Sequence, residues 1–407
     1  MHILFLTDNF PPEVNAPASR TFEHAREWVQ DGHQVTVITC VPNFPKGRVF
    51  AGYTNRLWQR EEIEGVQVIR VWSYISANEG FIRRSLDYIS FMISATVAAL
   101  FVKRVDLIVA TSPQFFTAVA GWLTGLLKRR PWVFELRDLW PESIRVVGAM
   151  KKSSLLDMLE RLELFLYHRA DAVISVTNSF RDNLIARAVP AEKIHVVTNG
   201  ADLSRYKPMA KDENLIKRYE LQDCFILGYI GTMGMAHGLD TVLDTAKNIS
   251  KLGLTDIRIL MLGDGAQKKH LMKRVETERI HNVLFLESVP KSEVTRYWSL
   301  LDVSLIHLKN DDLFKSVIPS KLFESMAMGV PVLFGVKGEA ADIVRHHEVG
   351  LLIEPESAGE MTQAVIELHT NSDLRENLAQ NCQESAQQFD RRELAYKMRE
   401  VLLDVVS

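Results

Sequence analysis

Short apolar, β-branched runs recur along the chain, each followed by a stretch in which apolar residues return every three or four positions. In the first half the runs are Ile3–Leu6, Val35–Ile38, Val66–Val71, Leu107–Ala110, Trp132–Glu135 and Ala172–Val176. Their length and β-branched content predict strands. Between them, Arg20–Gln30 sets Phe22, Ala25, Trp28 and Val29 on one face and Glu23, Arg26 and Glu27 on the other, the signature of an amphipathic helix. Strands that are apolar along nearly their whole length are covered on both faces, as in a parallel sheet sandwiched by helices. The first half therefore predicts a Rossmann-like α/β domain.

The pattern pauses after Thr198-Asn199-Gly200, in the polar stretch Ser204–Glu213 that contains Pro208 and several charges. Such a stretch reads as a linker. The alternation then resumes with Phe225–Ile230, Ile257–Leu262, Val283–Leu286, Val303–Ile306, Val332–Phe334 and Leu351–Ile353. The last segment, Glu393–Val406, places Leu394, Met398, Val401, Leu402 and Val405 at helical spacing. The expected organisation is a first Rossmann-like domain over 1–205, a second over 206–390, and a helix over 391–407 that packs back toward the first. Two doubly wound sheets put ligands at the carboxyl ends of their strands, in a cleft between the domains.

Charge changes this picture little. Residues 1–205 carry 24 Lys and Arg against 21 Asp and Glu, and the remainder carries 24 against 30, so no concentrated basic stripe points to nucleic acid. Cys40, Cys224 and Cys382 lie far apart, without metal-site or redox spacing, which fits a reducing compartment. The start, MHILFLTDNFPPE, lacks a basic n-region and a small-residue cleavage site and reads as a first strand rather than a signal peptide.

Three clusters carry candidate chemistry. The first is the turn after the second half's first strand, with Gly231, Thr232, Gly234, His237 and Gly238. Glycines there let backbone N–H groups approach an anion at a helix N-terminus, or simply make a tight turn. The second is Ser316, Ile318, Pro319, Ser320, Lys321 and Glu324, where a helix begins after the proline and ends at Gly329. Glu324 suits two ribose hydroxyls and Lys321 a phosphate, or Glu324 merely favours the helix dipole. The third is Arg137, Asp138 and Glu142, just past a buried strand, either facing a ligand or forming a structural ion pair.

In their order these motifs resemble retaining glycosyltransferases of family 4, in particular the O-antigen and capsule enzymes of the WbuB type. The resemblance spans essentially all 407 residues. It rests on Asn9-Phe10-Pro11-Pro12-Glu13, Ala16-Pro17-Ala18-Ser19-Arg20, Gly32-His33-Gln34-Val35-Thr36-Val37, Pro42-Asn43-Phe44-Pro45-Lys46-Gly47, Arg137-Asp138-Leu139-Trp140-Pro141-Glu142, Asn199-Gly200, the Gly231–Gly238 turn and the Glu324 helix. It implies a GT-B fold and no cofactor beyond a UDP-sugar donor. It further implies transfer of N-acetyl-L-fucosamine or a similar amino sugar to a polyprenyl-diphosphate-linked saccharide. The donor site is then expected to include Val289 besides the second and first clusters, and the acceptor-side loop Pro12, Glu13, Asn15, Ala16 and Arg20. This chain departs from the family at Ser316, where a glutamate is common, at Thr232 and His237, where an arginine and a lysine grip the diphosphate, and at Asn15-Ala16, where a glycine pair is common. His237 is expected to take up charge when UDP binds.

No Asp-x-Asp sequence occurs, so the usual carboxylate clamp for a divalent ion is missing and metal-independent transfer is expected. The apolar run from Leu86 to Val102 is short for a span and contains Asp87 and three aliphatic hydroxyl residues, Ser90, Ser94 and Thr96. It reads as a buried helix or as a face dipping into a membrane interface, with Arg83-Arg84 and Lys103-Arg104 on anionic lipid. Lys128-Arg129-Arg130 and Lys151-Lys152 lie in the same half. A cytoplasmic protein docked on the inner face of the membrane is the expectation. A sugar-nucleotide epimerase or hydrolase, and a non-catalytic nucleotide-sugar-binding scaffold, are the competing classes for the same architecture.

Overall fold

The computed structural model describes residues 1–44, 47–76, 81–112, 114–139 and 154–407. It divides into two compact units, Met1–Asn199 with Arg391–Ser407, and Gly200–Asp390. Residues 200–205 therefore belong with the second unit. Ala201 donates its backbone N–H to Phe389 and bridges Asp390, closing the second unit's two ends on each other.

Among the described residues the first unit holds eight strands: β1 (His2–Leu6), β2 (Gln34–Cys40), β3 (Trp58–Ile63), β4 (Val66–Val71), β5 (Leu107–Thr111), β6 (Trp132–Leu136), β7 (Ala172–Ser175) and β8 (Ile194–Val196). Their order is β3-β4-β2-β1-β5-β6-β7-β8, parallel throughout except for β3 on β4. Edge strand β8 was not anticipated, and neither was the antiparallel edge strand β3. Its Trp-Gln-Arg-Glu-Glu-Ile sequence is half solvated and lacks an apolar run. The helices are α1 (Ala16–Gln30), α2 (Phe81–Phe101), α3 (Phe115–Lys128), α4 (Ser154–Arg169) and α5 (Asn178–Ala186). Asn15 starts α1 by accepting the Ala18 N–H at 2.9 Å, and Pro17 sits in the first turn, where no intrahelical donor is needed.

Alternation along β1 feeds two cores. Leu4 and Leu6 pack with Phe91 and Ala95 of α2 and with Phe134, whereas Ile3 and Phe5 pack with Trp28 of α1. The chain's last helix, α14 (Arg391–Val406), completes the second of these layers with Met398 and Leu402. There the Trp28 indole donates to the Ala395 carbonyl at 2.8 Å.

The second unit has six parallel strands: β9 (Phe225–Ile230), β10 (Ile257–Leu262), β11 (Val283–Leu286), β12 (Val303–His307), β13 (Val332–Gly335) and β14 (Gly350–Leu352). They are ordered β11-β10-β9-β12-β13-β14. Helices α6 (Glu213–Arg218), α7 (Asp240–Lys251), α8 (Lys268–Glu278), α9 (Val294–Trp298), α10 (Lys321–Met328), α11 (Glu339–His347), α12 (Ala358–Thr370) and α13 (Ser372–Ala386) surround it. Both units are thus Rossmann-like. The direction of strand addition reverses beside β1 in the first sheet and beside β9 in the second, and ligands of such sheets bind beyond the carboxyl ends at that reversal.

Candidate functional site

In the second unit the reversal point is capped by two crossing glycine turns. Gly231, with φ +143°, leaves β9, and Gly263, with φ +144°, leaves β10 beside it. A Cβ on Gly263 would lie 2.0 Å from the Gly231 carbonyl oxygen, so only glycine lets the two turns touch. Met233 ties them further, donating its N–H to Asp264 at 2.8 Å and accepting from Gln267 at 2.9 Å. Thr232 is exposed, and Gly238 turns with φ +57° into α7.

Lys321 begins α10 and reaches this turn from the opposite side. A Cβ on Gly231 would meet its Nζ at 2.9 Å. That Nζ is sealed from solvent, has no hydrogen-bond partner among the described residues, and sits 3.9 Å from the centroid of the Tyr229 ring. Burial lowers the Lys321 pKa to about 7, against the opposing pull of Glu324 in the same helix turn. The Tyr229 hydroxyl donates to the Thr232 carbonyl at 2.5 Å, which fixes the ring beneath the ammonium.

His237 caps its own turn: its Nδ1 lies 3.3 Å from the Gly234 N–H, which donates to it. Burial, and next the charge of Lys321, lower its pKa to about 4. The ring is therefore neutral at physiological pH in the free protein. The charge expected on UDP binding would have to be taken up by a ring that burial and Lys321 hold neutral in the free protein. Beneath it, His307 at the end of β12 holds Nδ1 2.7 Å from the His237 carbonyl and accepts the Glu356 N–H on Nε2 at 2.9 Å. These partners fix its neutral tautomer. Ser316 closes a short helical turn, donating its hydroxyl to Leu313 at 3.0 Å. Ile318 is buried in the core, Val289 packs on that core from the edge, and Pro319 and Ser320 lead into α10.

In the first unit, the Ser112 hydroxyl beyond β5 accepts two successive N–H groups, from Arg137 at 2.8 Å and Asp138 at 3.3 Å. This pins the turn after β6 at the sheet's reversal point. The Arg137 guanidinium donates to the Pro17 carbonyl at 3.2 Å, and burial, partly offset by Glu135, lowers its pKa to about 10. Glu142 lies outside the described residues, as do Lys151 and Lys152.

The N-terminal loop is mostly self-supporting. Glu13 accepts the Asn43 and Phe44 N–H groups at 2.8 Å each, and burial raises its carboxyl to about 7. Asn15 holds the start of α1, while Pro12 and Ala16 are exposed. Arg20, expected on the acceptor side, is instead a buried structural residue. It pairs with Glu135 at 2.8 Å and donates to the Thr198 and Val197 carbonyls at 2.6 and 2.9 Å. Burial works against the Glu135 carboxylate, but the charges of Arg20 and Arg137 outweigh it and keep the pKa below the ordinary value.

The sequence reading missed His307, the Gly263-Asp264-Gly265 turn and an acidic pair. Asp87, near the start of α2, is raised to about 7 by burial and then by Asp8, whose own carboxyl is raised by burial at the end of β1. A polar residue closing an otherwise apolar strand run, as at Asp8 and His307, was the available signal.

A sequence model of the Glycosyl transferase 4-like domain matches residues 15–200, and one of Glycosyl transferases group 1 matches residues 211–385. The chain is 24% identical over 339 residues to WcaI of Escherichia coli (strain K12), a glycosyl transferase assigned to colanic acid biosynthesis, covering 81% of this chain and 82% of that one. It is 25% identical over 205 residues to TuaH of Bacillus subtilis (strain 168), assigned to teichuronic acid biosynthesis, 49% of either chain. Among solved structures, sucrose-phosphate synthase from Thermosynechococcus elongatus superposes with a TM-score of 0.78 at 15% identity over 99% of this chain and 98% of that one. HepE of Anabaena, in complex with UDP-glucose, does so with a TM-score of 0.70 at 19% identity over 99% and 100%. With the two domain models matched in tandem and two Rossmann-like units to carry them, the chain belongs to the GT-B glycosyltransferases.

Proposed function

We propose that this glycosyltransferase moves a sugar, with retention of anomeric configuration, from a UDP-sugar to a polyprenyl-diphosphate-linked saccharide at the cytoplasmic face of a membrane, in the assembly of a surface polysaccharide. The observation that carries the donor assignment is the ammonium of Lys321, sealed beside the Gly231 turn with no hydrogen-bond acceptor among the described residues. A buried cation without an acceptor is costly, and a diphosphate supplies the missing charge. HepE, solved with UDP and with UDP-glucose, supports a uridine donor by its likeness, and WcaI and TuaH support a polysaccharide pathway.

In this reading the Gly231–Gly238 backbone and Lys321 hold the diphosphate, and Glu324 accepts the ribose hydroxyls. Arg137, Asp138 and Glu142 of the first unit orient the acceptor. The acceptor hydroxyl oxygen bonds to the anomeric carbon on the face from which UDP departs. The bond between that carbon and the phosphate oxygen breaks, its electron pair stays on the phosphate, and the hydroxyl proton passes to that oxygen. Positive groups fixed where the phosphate charge develops lower the barrier without a bound divalent ion.

Turnover of radiolabelled donor with and without lipid-linked acceptor tests this reading. Label is expected in the lipid fraction only when acceptor is present. Consumption of donor at the same rate without acceptor overturns it.

A further inference from the structure

Long basic side chains ordinarily bury the stem and keep the charged head in water. Lys321 is arranged the other way round. The residue as a whole is half-buried, yet its Nζ is sealed, so the solvent it meets is met along the backbone and stem. Two covers touch the head. One is the Tyr229 ring, its centroid 3.9 Å away, and the other is Gly231, where a Cβ would come within 2.9 Å of Nζ and 3.2 Å of Cε. A residue without a Cβ is what leaves the head this seat.

A diphosphate at the turn cannot touch a sealed ammonium unless something gives way, and the turn is the stiffer part. Gly231 donates its N–H to the Leu262 carbonyl at 2.9 Å, and Met233 donates to Asp264 at 2.8 Å and accepts from Gln267 at 2.9 Å. Gly263 crosses so closely that a Cβ there would lie 2.0 Å from the Gly231 oxygen. Shifting the turn breaks these backbone hydrogen bonds together. Lys321 gives up less: its head has no hydrogen bond among the described residues to lose, and its four-carbon stem needs only side-chain rotation. Near neutrality the seated head is also only partly charged, since burial lowers its pKa to about 7. The titratable groups facing it leave that unchanged. Glu324 on its own helix pulls the other way but less, burial and Lys321 itself hold His237 neutral, and burial raises the Tyr229 phenol.

We infer that Tyr229 is a positioning residue, a latch that parks the head of Lys321 in the free protein, and that the donor's diphosphate draws the head off the ring while the Gly231 turn stays in place. The ligand thus completes its own site. A parked lysine is a population that does not grip the diphosphate, so the ring face holds donor affinity below what the same residues give with the head already out. The Tyr229 hydroxyl, donating to the Thr232 carbonyl at 2.5 Å, keeps the ring in that place.

The latch rests on the reading of Lys321 as a diphosphate ligand, and UDP alone tests the two separately. Its affinity for the full chain is measured by calorimetry at neutral pH on wild type, Tyr229→Leu, Tyr229→Phe, Lys321→Met and the double variant Tyr229→Leu with Lys321→Met. Removing the ring is expected to tighten UDP roughly 3- to 30-fold, the range set by a cation on an aromatic face. Tyr229→Phe keeps the ring and is expected to stay within about twofold of wild type, and the gain from Tyr229→Leu is expected to vanish in the Lys321→Met background. A tyrosine that only supports the turn gives weaker binding in both backgrounds. Unchanged or weaker binding by folded Tyr229→Leu therefore overturns the latch, and leaves the donor reading in place if Lys321→Met binds UDP weakly. Should Tyr229→Leu fail to fold, a crystal structure of the wild type with UDP decides. Nζ is expected on a phosphate oxygen and off the ring, and Nζ still seated on Tyr229 beside bound UDP overturns the latch. Equal UDP affinity of Lys321→Met and wild type overturns the donor reading and the latch with it.

Discussion

The ammonium of Lys321 rests 3.9 Å above the centroid of the Tyr229 ring, and that ring face is the partner it has in place of a hydrogen-bond acceptor among the described residues. A ring face returns only part of the solvation that burial removes, which is why the Lys321 pKa is lowered to about 7.

Stability and binding should respond to this lysine in opposite senses. A lysine whose folded pKa lies below its unfolded value penalises the native state fully below the folded value, and the penalty lifts as pH rises toward the unfolded one. The free protein should therefore gain stability between about pH 7 and 10, and Lys321→Met should flatten that gain in thermal melts. UDP should restore the charge, so its binding takes up a proton and weakens as pH rises above about 7. Calorimetry in buffers of different ionisation heat reads the proton directly. Lys321→Met is expected to weaken UDP roughly 10- to 100-fold; equal affinity removes the lysine from the site.

Glu324 stands one turn along α10 from Lys321 and is assigned the ribose hydroxyls in the function proposed above. Losing hydrogen bonds to a charged partner costs about 1.5–3 kcal/mol, so Glu324→Ala should weaken UDP roughly 10- to 100-fold. Unchanged calorimetric affinity eliminates it.

His237 should behave as a neutral strut. Its folded pKa of about 4 lies below the unfolded value, so the stability it leaves intact at neutral pH is lost as pH falls from about 6.5 through 4. His237→Gln should remove that acid-side loss and keep the pH dependence of UDP binding above neutrality. A binding curve that flattens near pH 7 in this variant would return the charge to the histidine.

The Arg20–Glu135 pair predicts a stability experiment with little bearing on the donor. Removing one partner of a buried pair leaves the other charge uncompensated, at a cost of about 3–5 kcal/mol. Arg20→Met should show that loss in denaturant titrations, and Arg20→Met with Glu135→Met should recover much of it. A double variant no better than the single one speaks against the pair.

Transfer should persist in excess EDTA, since the charge that a clamped divalent ion supplies elsewhere is assigned here to Lys321 and the backbone. Loss of activity on chelation with rescue by manganese or magnesium refutes that assignment.

The two sheets were legible because a buried parallel strand cannot avoid being an apolar run. Strand β3 escaped because an edge strand with one solvated face writes a polar, alternating sequence. The Gly231 turn and α10 were legible from glycine, proline and helix-cap chemistry, all of which act within a few residues. His307 was not, because its task comes from β12 lying beside β9, strands far apart in sequence. Arg20 was misplaced for a related reason. An arginine next to a loop looks like a ligand contact until its carboxylate, 115 residues away, is found closing on it.

Helix α14 gives the chain an unusual order of completion. The layer around Trp28 lacks Met398 and Leu402 until the last sixteen or so residues arrive, by which time all of Gly200–Asp390 has been made. During synthesis the second unit has its whole sequence available before the first does. The earliest residues must wait, with one apolar face uncovered, for the latest. A nascent chain that had released Gly200–Asp390 from the ribosome but not yet Arg391–Val406 would expose that face to protease or chaperone.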